Sequence, residues 1–232
     1  MIHFGILQRK YLKRTMDYKF LEVSEHFLIN NIDGKELFNE NSIILDCGAC
    51  VGNFTQPLWD KYHCNFYLYE PDPRNFRQLK YRFFDKKIRL YRKLISNPCI
   101  DGSKRKFYTG RFPTAGSMEE SHRGLDGNCI EVEQTSVNNE LKQFNSIDLL
   151  KLDLEGEEIT VITHMDEETL SKIRQIIVEF HLQSEIDDYT EKDVIYCREL
   201  LKHNGFIEIK YEANEGTNKG QEAVYLNEHW SF

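Results

Sequence analysis

The chain has 232 residues, 29% of them charged, and a formal net charge of −8. That length suits one domain with a full core. The acidic balance argues against a nucleic-acid binder, which needs a dominant basic surface, and no run approaches the roughly 18 consecutive apolar residues of a membrane span.

Taken in chain order, Phe20, Val23, Phe27 and Leu28 recur at helical spacing. They predict an N-terminal helix within residues 16–32, part of a helical segment over 1–41 that packs on a domain spanning 42–232. The stretch before it has no apolar core of signal-peptide length. Ser42–Asp46 reads as a strand that runs into a glycine turn, Gly48 to Gly52, and a helix starts near Thr55, close to Pro57. Phe66–Glu70 is the second strand. Asp72 caps a helix whose first residue is Pro73, and Ile88–Leu94 is the third strand. Residues 101–134 interrupt the alternation with two short strands, Lys106–Thr109 and Ile130–Gln134, around a long loop rich in Gly, Ser and Asn.

Strand and helix then resume. Ile147–Asp153 is a strand and Gly156–Met165 a helix. Gln175–Phe180 is the next strand, and Thr190 with Asp193 makes a capping box for a helix that ends at Gly205. Phe206–Tyr211 and Ala223–Leu226 close the chain as a hairpin. The order implies a mainly parallel sheet, helices on both faces and an antiparallel hairpin.

Ligands of such sheets collect beyond the carboxyl ends of the strands. Asp46, Gly48 and Gly52 form an acid-glycine turn at the first strand tip, where glycine lets bare backbone approach a ligand. Glu70, at the second tip, is placed to accept both hydroxyl protons of a ribose. Together they suggest a nucleoside cofactor. Asp153 and Glu155 end the fourth strand in the same crevice, with Glu157 and Glu158 read as first-turn acids of the next helix. Lys151 lies mid-strand and needs an acidic partner. Alternation puts Glu179 and His181 on one face of the fifth strand, with His181 emerging at the crevice. Cys47 and Cys50 form a Cys-x-x-Cys inside the glycine turn, read as structural because no second pair follows at zinc-site spacing. The scattered cysteines fit a reducing cytoplasm. The basic runs at Arg9–Arg14 and Lys104–Lys106 read as solvated surface.

Four stretches in order resemble the FkbM-type methyltransferases: Leu45–Phe54, Tyr69–Pro73, Leu150–Glu158 and Ile177–His181. The Lys-x-Asp-x-Glu-Gly-x-Glu string is the most specific of them. The resemblance implies a Rossmann-like class I methyltransferase fold with a seven-stranded sheet, S-adenosylmethionine as cofactor, and O-methylation of a hydroxyl on a sugar, glycan or other natural product. By position, Asp46, Gly48, Gly52, Asn53 and Glu70 would line the cofactor and Ser96 would lie on its adenine side. Asp153, Glu155 and His181 would face the reacting groups. Cys50 stands where the family commonly has asparagine, and the Gly116-Ser-Met118 turn resembles a loop that helps close the substrate pocket.

The expected reaction is direct displacement at the sulfonium methyl, with Asp153 or His181 as base and Glu155 orienting the substrate or the histidine. Asp153, Glu179 and His181 could instead hold a divalent cation that acidifies the hydroxyl. A noncatalytic cofactor-binding relative and a nucleotide-dependent oxidoreductase are the competing classes. The loop 110–128, with Arg111, Ser117, His122 and Arg123, is expected to choose the acceptor.

Overall fold

The structure is a computed structural model that describes residues 16–84, 86–96, 101–112, 116–117, 125–181, 189–212 and 221–230. The basic run at Arg9–Arg14, together with Met118, His122 and Arg123, lies outside these residues.

The chain opens with three antiparallel strands, β1 (Tyr18–Val23), β2 (His26–Ile32) and β3 (Lys35–Glu36). This corrects the N-terminal helix expected from Phe20, Val23, Phe27 and Leu28. Their spacing fits a helix, but Ser24 and Glu25 both take positive φ, 50° and 71°, and make a two-residue hairpin turn. Neither is glycine or asparagine, so the turn carries no sequence signal. Asp33-Gly34, which turns β2 into β3 with φ of 50° and 83°, does carry one. Burial then decides in favour of strand: Val23, Leu28, Ile29 and Ile32 pack with Ile44, Phe54, Leu58 and Phe66 on one face of the main sheet.

That sheet begins with β4 (Ile43–Cys47), α1 (Thr55–Tyr62), β5 (Asn65–Tyr69), α2 (Pro73–Arg82) and β6 (Ile88–Tyr91). Asp72 caps α2 by accepting from the Arg74 N–H at 2.7 Å, and Pro73 opens the helix. The expected third strand stops at Tyr91, and Leu94–Ile95 leaves as β7 to pair with a second small sheet made of β8 (Lys104–Gly110) and β9 (Leu125–Thr135). The hairpin strands are longer than predicted, and Gly127 and Asn128 belong to β9 rather than to the loop. After α3 (Val137–Glu140) come β10 (Ile147–Leu152), α4 (Glu158–His164), α5 (Glu167–Ser171), β11 (Ile173–Phe180), α6 (Glu191–His203), β12 (Phe206–Glu212) and β13 (Gln221–Asn227). Thr190 and Asp193 form the predicted capping box of α6.

The seven-stranded sheet has the order β12-β13-β11-β10-β4-β5-β6. Pairings from β11 across to β6 are all parallel, and β13 runs antiparallel to both β11 and β12. Strand order reverses between β4 and β10, so their carboxyl ends open a crevice. One core lies under β10 and β11, where Leu150, Leu152, Ile176 and Val178 meet Ile159, Ile162 and Leu201 of the helices. The other lies on the opposite face, beneath the N-terminal hairpin and α1.

Two buried side chains fasten that hairpin. Gln175 in β11 is fully buried; its Oε1 accepts from the Ile29 N–H at 2.7 Å and its Nε2 donates to the Ile29 carbonyl at 3.1 Å. Glu222 in β13 accepts from the Phe27 N–H at 2.6 Å. A primary amide thus takes the place of a neighbouring strand for one residue of β2. Gln175→Leu keeps the volume and leaves the Ile29 N–H and carbonyl buried without partners. It should cost about 2–4 kcal/mol in urea unfolding. A loss below about 0.5 kcal/mol would mean that the amide does not anchor the hairpin.

Candidate functional site

The crevice is built from the tips of β4, β5 and β10. Gly48 follows β4 with φ +82°, and a Cβ there would stand 1.8 Å from the Asp153 carbonyl oxygen. Only glycine lets the two strand ends come this close. The Gly48 and Ala49 N–H groups both donate to the Tyr69 carbonyl at 3.0 Å, which stitches the turn to β5. Gly52, with φ +83°, sits against the Phe83 ring and closes the turn from the α2 side.

Lys151 lies at the centre. It is 2% exposed, and its Nζ donates to Asp153 Oδ2 at 2.9 Å and to the Gly48 carbonyl at 3.1 Å, with Asp46 Oδ1 at 3.4 Å. Burial disfavours its charge, but the two carboxylates outweigh burial and hold its pKa above the usual lysine value. The acidic partner expected for Lys151 is therefore two acids, Asp46 on the neighbouring β4 and Asp153 at the end of its own strand. Asp46 is fully buried and also accepts from the Thr55 hydroxyl at 2.7 Å.

Glu70 is 4% exposed. Its Oε2 accepts from the Cys50 N–H at 2.8 Å and its Oε1 from the Asp72 N–H at 2.7 Å. Burial raises its pKa to about 8, against the lowering by those two backbone donors. The Asn75 side chain also hydrogen-bonds this carboxylate, and the acceptor positions that the three donors leave can take a ligand. Cys50, with φ +50°, has its thiol pushed up to about 12 by burial and by Glu70. Cys47 is buried with its pKa well above the ordinary value, also by burial. Both are thiols, neither is activated, and the structural reading of Cys-x-x-Cys fits.

Gly48, Cys50, Glu70, Asn75, Asp153 and Glu155 line one pocket. Its apolar wall comes from Leu94, Ile95 and Phe107 of the small second sheet. Sequence reasoning missed these three residues. Phe107 alternates inward on β8, which was the available signal. Gly116 also lines the pocket, with Phe107 so close that a Cβ would stand 2.6 Å from its ring. Next to it the Ser117 hydroxyl donates to the Glu155 carbonyl at 3.0 Å. The segment is pinned over the acid loop at the pocket, where the Gly116-Ser turn was expected to act.

Asn53 and Ser96 are not among the residues that line this pocket. Asn53 Oδ1 accepts from Arg82 at 2.9 Å. Ser96 is buried and donates to Glu157 Oε2 at 2.9 Å, and Arg105 donates to its hydroxyl at 3.2 Å. Arg105 of the basic run thus has a partner, while Lys104 and Lys106 are exposed.

Beyond Asp153 the site turns acidic. His181 Nδ1 is 2.9 Å from Glu158 Oε1. Glu158 is 1% exposed and also accepts from the Leu154 N–H at 2.6 Å and the Gly156 N–H at 3.2 Å. It is a first-turn acid of α4, as expected, but its carboxylate serves the strand-end turn and the histidine. His181 Nε2 faces three carboxylates: Glu155 at 3.7 Å, Glu179 at 3.8 Å and Asp153 at 4.0 Å. Burial lowers the His181 pKa, yet Glu158, Glu155 and Asp153 raise it well above the ordinary value. Asp153 behaves oppositely: burial raises its pKa, but Lys151 and the two imidazoles hold it far below the usual carboxylate range.

The second imidazole is His26 of β2, absent from every sequence pattern considered. It is 7% exposed, with Nε2 at 3.5 Å from Asp153 Oδ2 and Nδ1 at 3.9 Å from Glu222 Oε1. The hairpin that sequence periodicity mistook for a helix therefore delivers a residue to the site.

Among the described residues, no helix is long and apolar enough to cross a membrane. The fold resembles a fibrillarin pre-rRNA processing protein of Methanococcus jannaschii, with a TM-score of 0.50 at 13% identity over 97% of this chain and 87% of that one. It also resembles a putative rRNA methylase of Clostridium thermocellum, with a TM-score of 0.50 at 9% identity over 82% of this chain and 88% of that one. These likenesses establish the class I methyltransferase architecture. No curated protein matches the sequence. The methyltransferase FkbM domain matches residues 46–208, which run from the tip of β4 to the start of β12 and hold Gly48, Glu70, Lys151, Asp153 and His181. The chain belongs to the FkbM methyltransferase family, and with it to the S-adenosylmethionine-dependent methyltransferases.

Proposed function

We propose that the chain transfers the S-adenosylmethionine methyl group to a hydroxyl oxygen of a sugar, glycan or other polyhydroxylated natural product. One observation carries this reading: the ionised Asp153 stands at the pocket with Glu155, Glu179 and His181 gathered beside it. A site so rich in acceptors suits a substrate that donates hydrogen bonds, as a polyol does. An RNA acceptor, which the names of the two fold relatives suggest for those proteins, is disfavoured by these acids and by the net charge of −8.

In this reading Glu70 holds the ribose diol, the Gly48 turn lets the cofactor approach the backbone, and Ile95 and Phe107 flank the adenine. Asp46 acts through Lys151, and Gly52 keeps the turn seated on Phe83. Asn53 and Ser96 are rim contacts held by Arg82 and Glu157. The acceptor oxygen attacks the methyl carbon in line; the C–S bond breaks and its electron pair returns to sulfur, leaving neutral S-adenosylhomocysteine. The hydroxyl proton goes to Asp153. Asp153 is a weak base, but the oxygen's proton becomes strongly acidic as the O–C bond forms. His181, oriented by Glu158, positions the acids and the acceptor. Family membership sets the oxidoreductase reading aside, and a labelled-methyl assay against saccharides and small alcohols separates an active enzyme from a noncatalytic relative.

Asp153→Asn should lower turnover by about 10²–10⁴-fold while calorimetry still detects cofactor binding and melting shows an intact fold. Turnover at the wild-type level would remove Asp153 as the proton acceptor.

Glu70 generates a pH dependence of opposite sign to Asp153. Its folded pKa lies above the ordinary 4.5, so its contribution to stability is full below 4.5 and is lost as pH rises through about 8. Ribose hydroxyls donate to the ionised form, so cofactor binding releases a proton. Affinity by calorimetry should rise with pH and level off above about 8, and Glu70→Gln should flatten the curve. A wild-type affinity that is level across this range would take Glu70 out of the ribose site.

A further inference from the structure

The acid cluster at Asp153 has a geometry that neither hydrogen bonding nor methyl transfer requires. His181 Nε2 is surrounded by oxygens of three different residues, Glu155 at 3.7 Å, Glu179 at 3.8 Å and Asp153 at 4.0 Å. All three distances exceed an ordinary hydrogen bond of about 2.7–3.2 Å. Donors that share one six-coordinate cation at about 2.1 Å stand about 3.0–4.2 Å apart.

The second observation comes from another part of the chain. His26 is more than nine-tenths buried and aimed at the same carboxylates, yet its nearest oxygens are 3.5 Å and 3.9 Å away, again beyond normal hydrogen-bond length. Donor atoms of His26, Asp153 and Glu179 lie within 4.8 Å of one another, and so do those of Asp153, Glu155 and His181. The two sets share Asp153.

The outer contacts agree. His181 Nδ1 is tied to the buried Glu158, which leaves Nε2 as the inward donor, the arrangement that orients metal-bound imidazoles. Lys151 does not fill the space. Its ammonium donates to Asp153 Oδ2 at 2.9 Å and is also held by Asp46 and the Gly48 carbonyl, while Asp153 Oδ1 is the oxygen that faces His181.

We propose that this cluster binds one divalent first-row transition-metal ion, centred on Asp153 and Glu179, with His181 and Glu155 on one side and His26 on the other. Two imidazoles among carboxylates favour Mn²⁺, Fe²⁺, Co²⁺ or Zn²⁺ over the all-oxygen preference of Ca²⁺ and Mg²⁺. His26 lies outside the residues that the family model matches, so this one donor comes from the N-terminal hairpin and the other four from the matched domain. The inference rests on the proposed hydroxyl methylation for its use: the ion would bind the acceptor oxygen and ease loss of its proton.

The test reads the metal alone. Chelator-treated protein is titrated with Mn²⁺ while the electron paramagnetic resonance signal of the free ion is followed. Quenching that saturates at one ion per chain is expected. His26→Ala and Glu179→Gln should each weaken binding by about tenfold or more, with S-adenosylmethionine affinity retained as the control for folding. A free-ion signal that does not fall in the wild type, or equal Mn²⁺ affinity in both folded variants, overturns the site. Methyl transfer is scored separately. Mn²⁺ bound without methyl transfer to any hydroxyl upholds the site and defeats the proposed function, whereas transfer by a chain that binds no Mn²⁺ defeats the site alone.

Discussion

One buried ammonium organises the catalytic end of this protein. Lys151 is reached by Asp46 from β4, by Asp153 at the end of its own strand and by the Gly48 carbonyl. A buried charge is tolerated only when paired and hydrogen-bonded, and here two carboxylates share that task, so that either one still faces the ammonium without the other. The contacts also need β4 and β10 to end side by side, which Gly48 permits because a Cβ would collide with the Asp153 carbonyl. Fold and site are thus coupled at one point: the reversal of strand order opens the crevice, and the Lys151 cluster holds its lips together.

The same ammonium sets the chemistry. It keeps Asp153 ionised despite burial, and a permanently ionised carboxylate at the pocket edge is a standing attraction for donors and cations. The neighbouring acids push in the other direction on His181 and raise its pKa. Two groups that sequence alone ranked equally as bases are therefore separated by environment. Glu70, with both oxygens on backbone N–H groups, is raised by burial rather than lowered by a cation. Three titrating groups within one crevice thus respond to pH in different directions because their partners differ.

The N-terminal hairpin is more than a cover. Gln175 and Glu222 hold β2 by its backbone, and β2 carries His26 to within 3.5 Å of Asp153. On the opposite rim, the small second sheet supplies the apolar wall of Leu94, Ile95 and Phe107, and Ser117 pins its segment to the Glu155 turn. Two additions to the parallel sheet thus contribute opposite walls, one charged and one apolar.

The alternation of strands and helices from residue 42 onward, the glycine turn, the acids at strand tips and the α2 and α6 caps were legible in the sequence because each is set locally, by periodicity, by glycine at positive φ or by side chains that bond their own backbone. Lys151 could be recognised as needing an acid for the same reason: a charge inside an apolar strand has no other solution. The N-terminal strands were not legible, since the residues at 20, 23 and 27 are spaced as on a helix and the turn at Ser24-Glu25 has no glycine to announce it. His26, Phe107 and the bond between Glu158 and His181 were hidden too, because each depends on segments far apart in sequence meeting in space. Which carboxylate stays charged, and in which direction the His181 pKa moves, was decided only by tertiary structure, because a pKa records the neighbours that folding assembles and not only the residue that bears it.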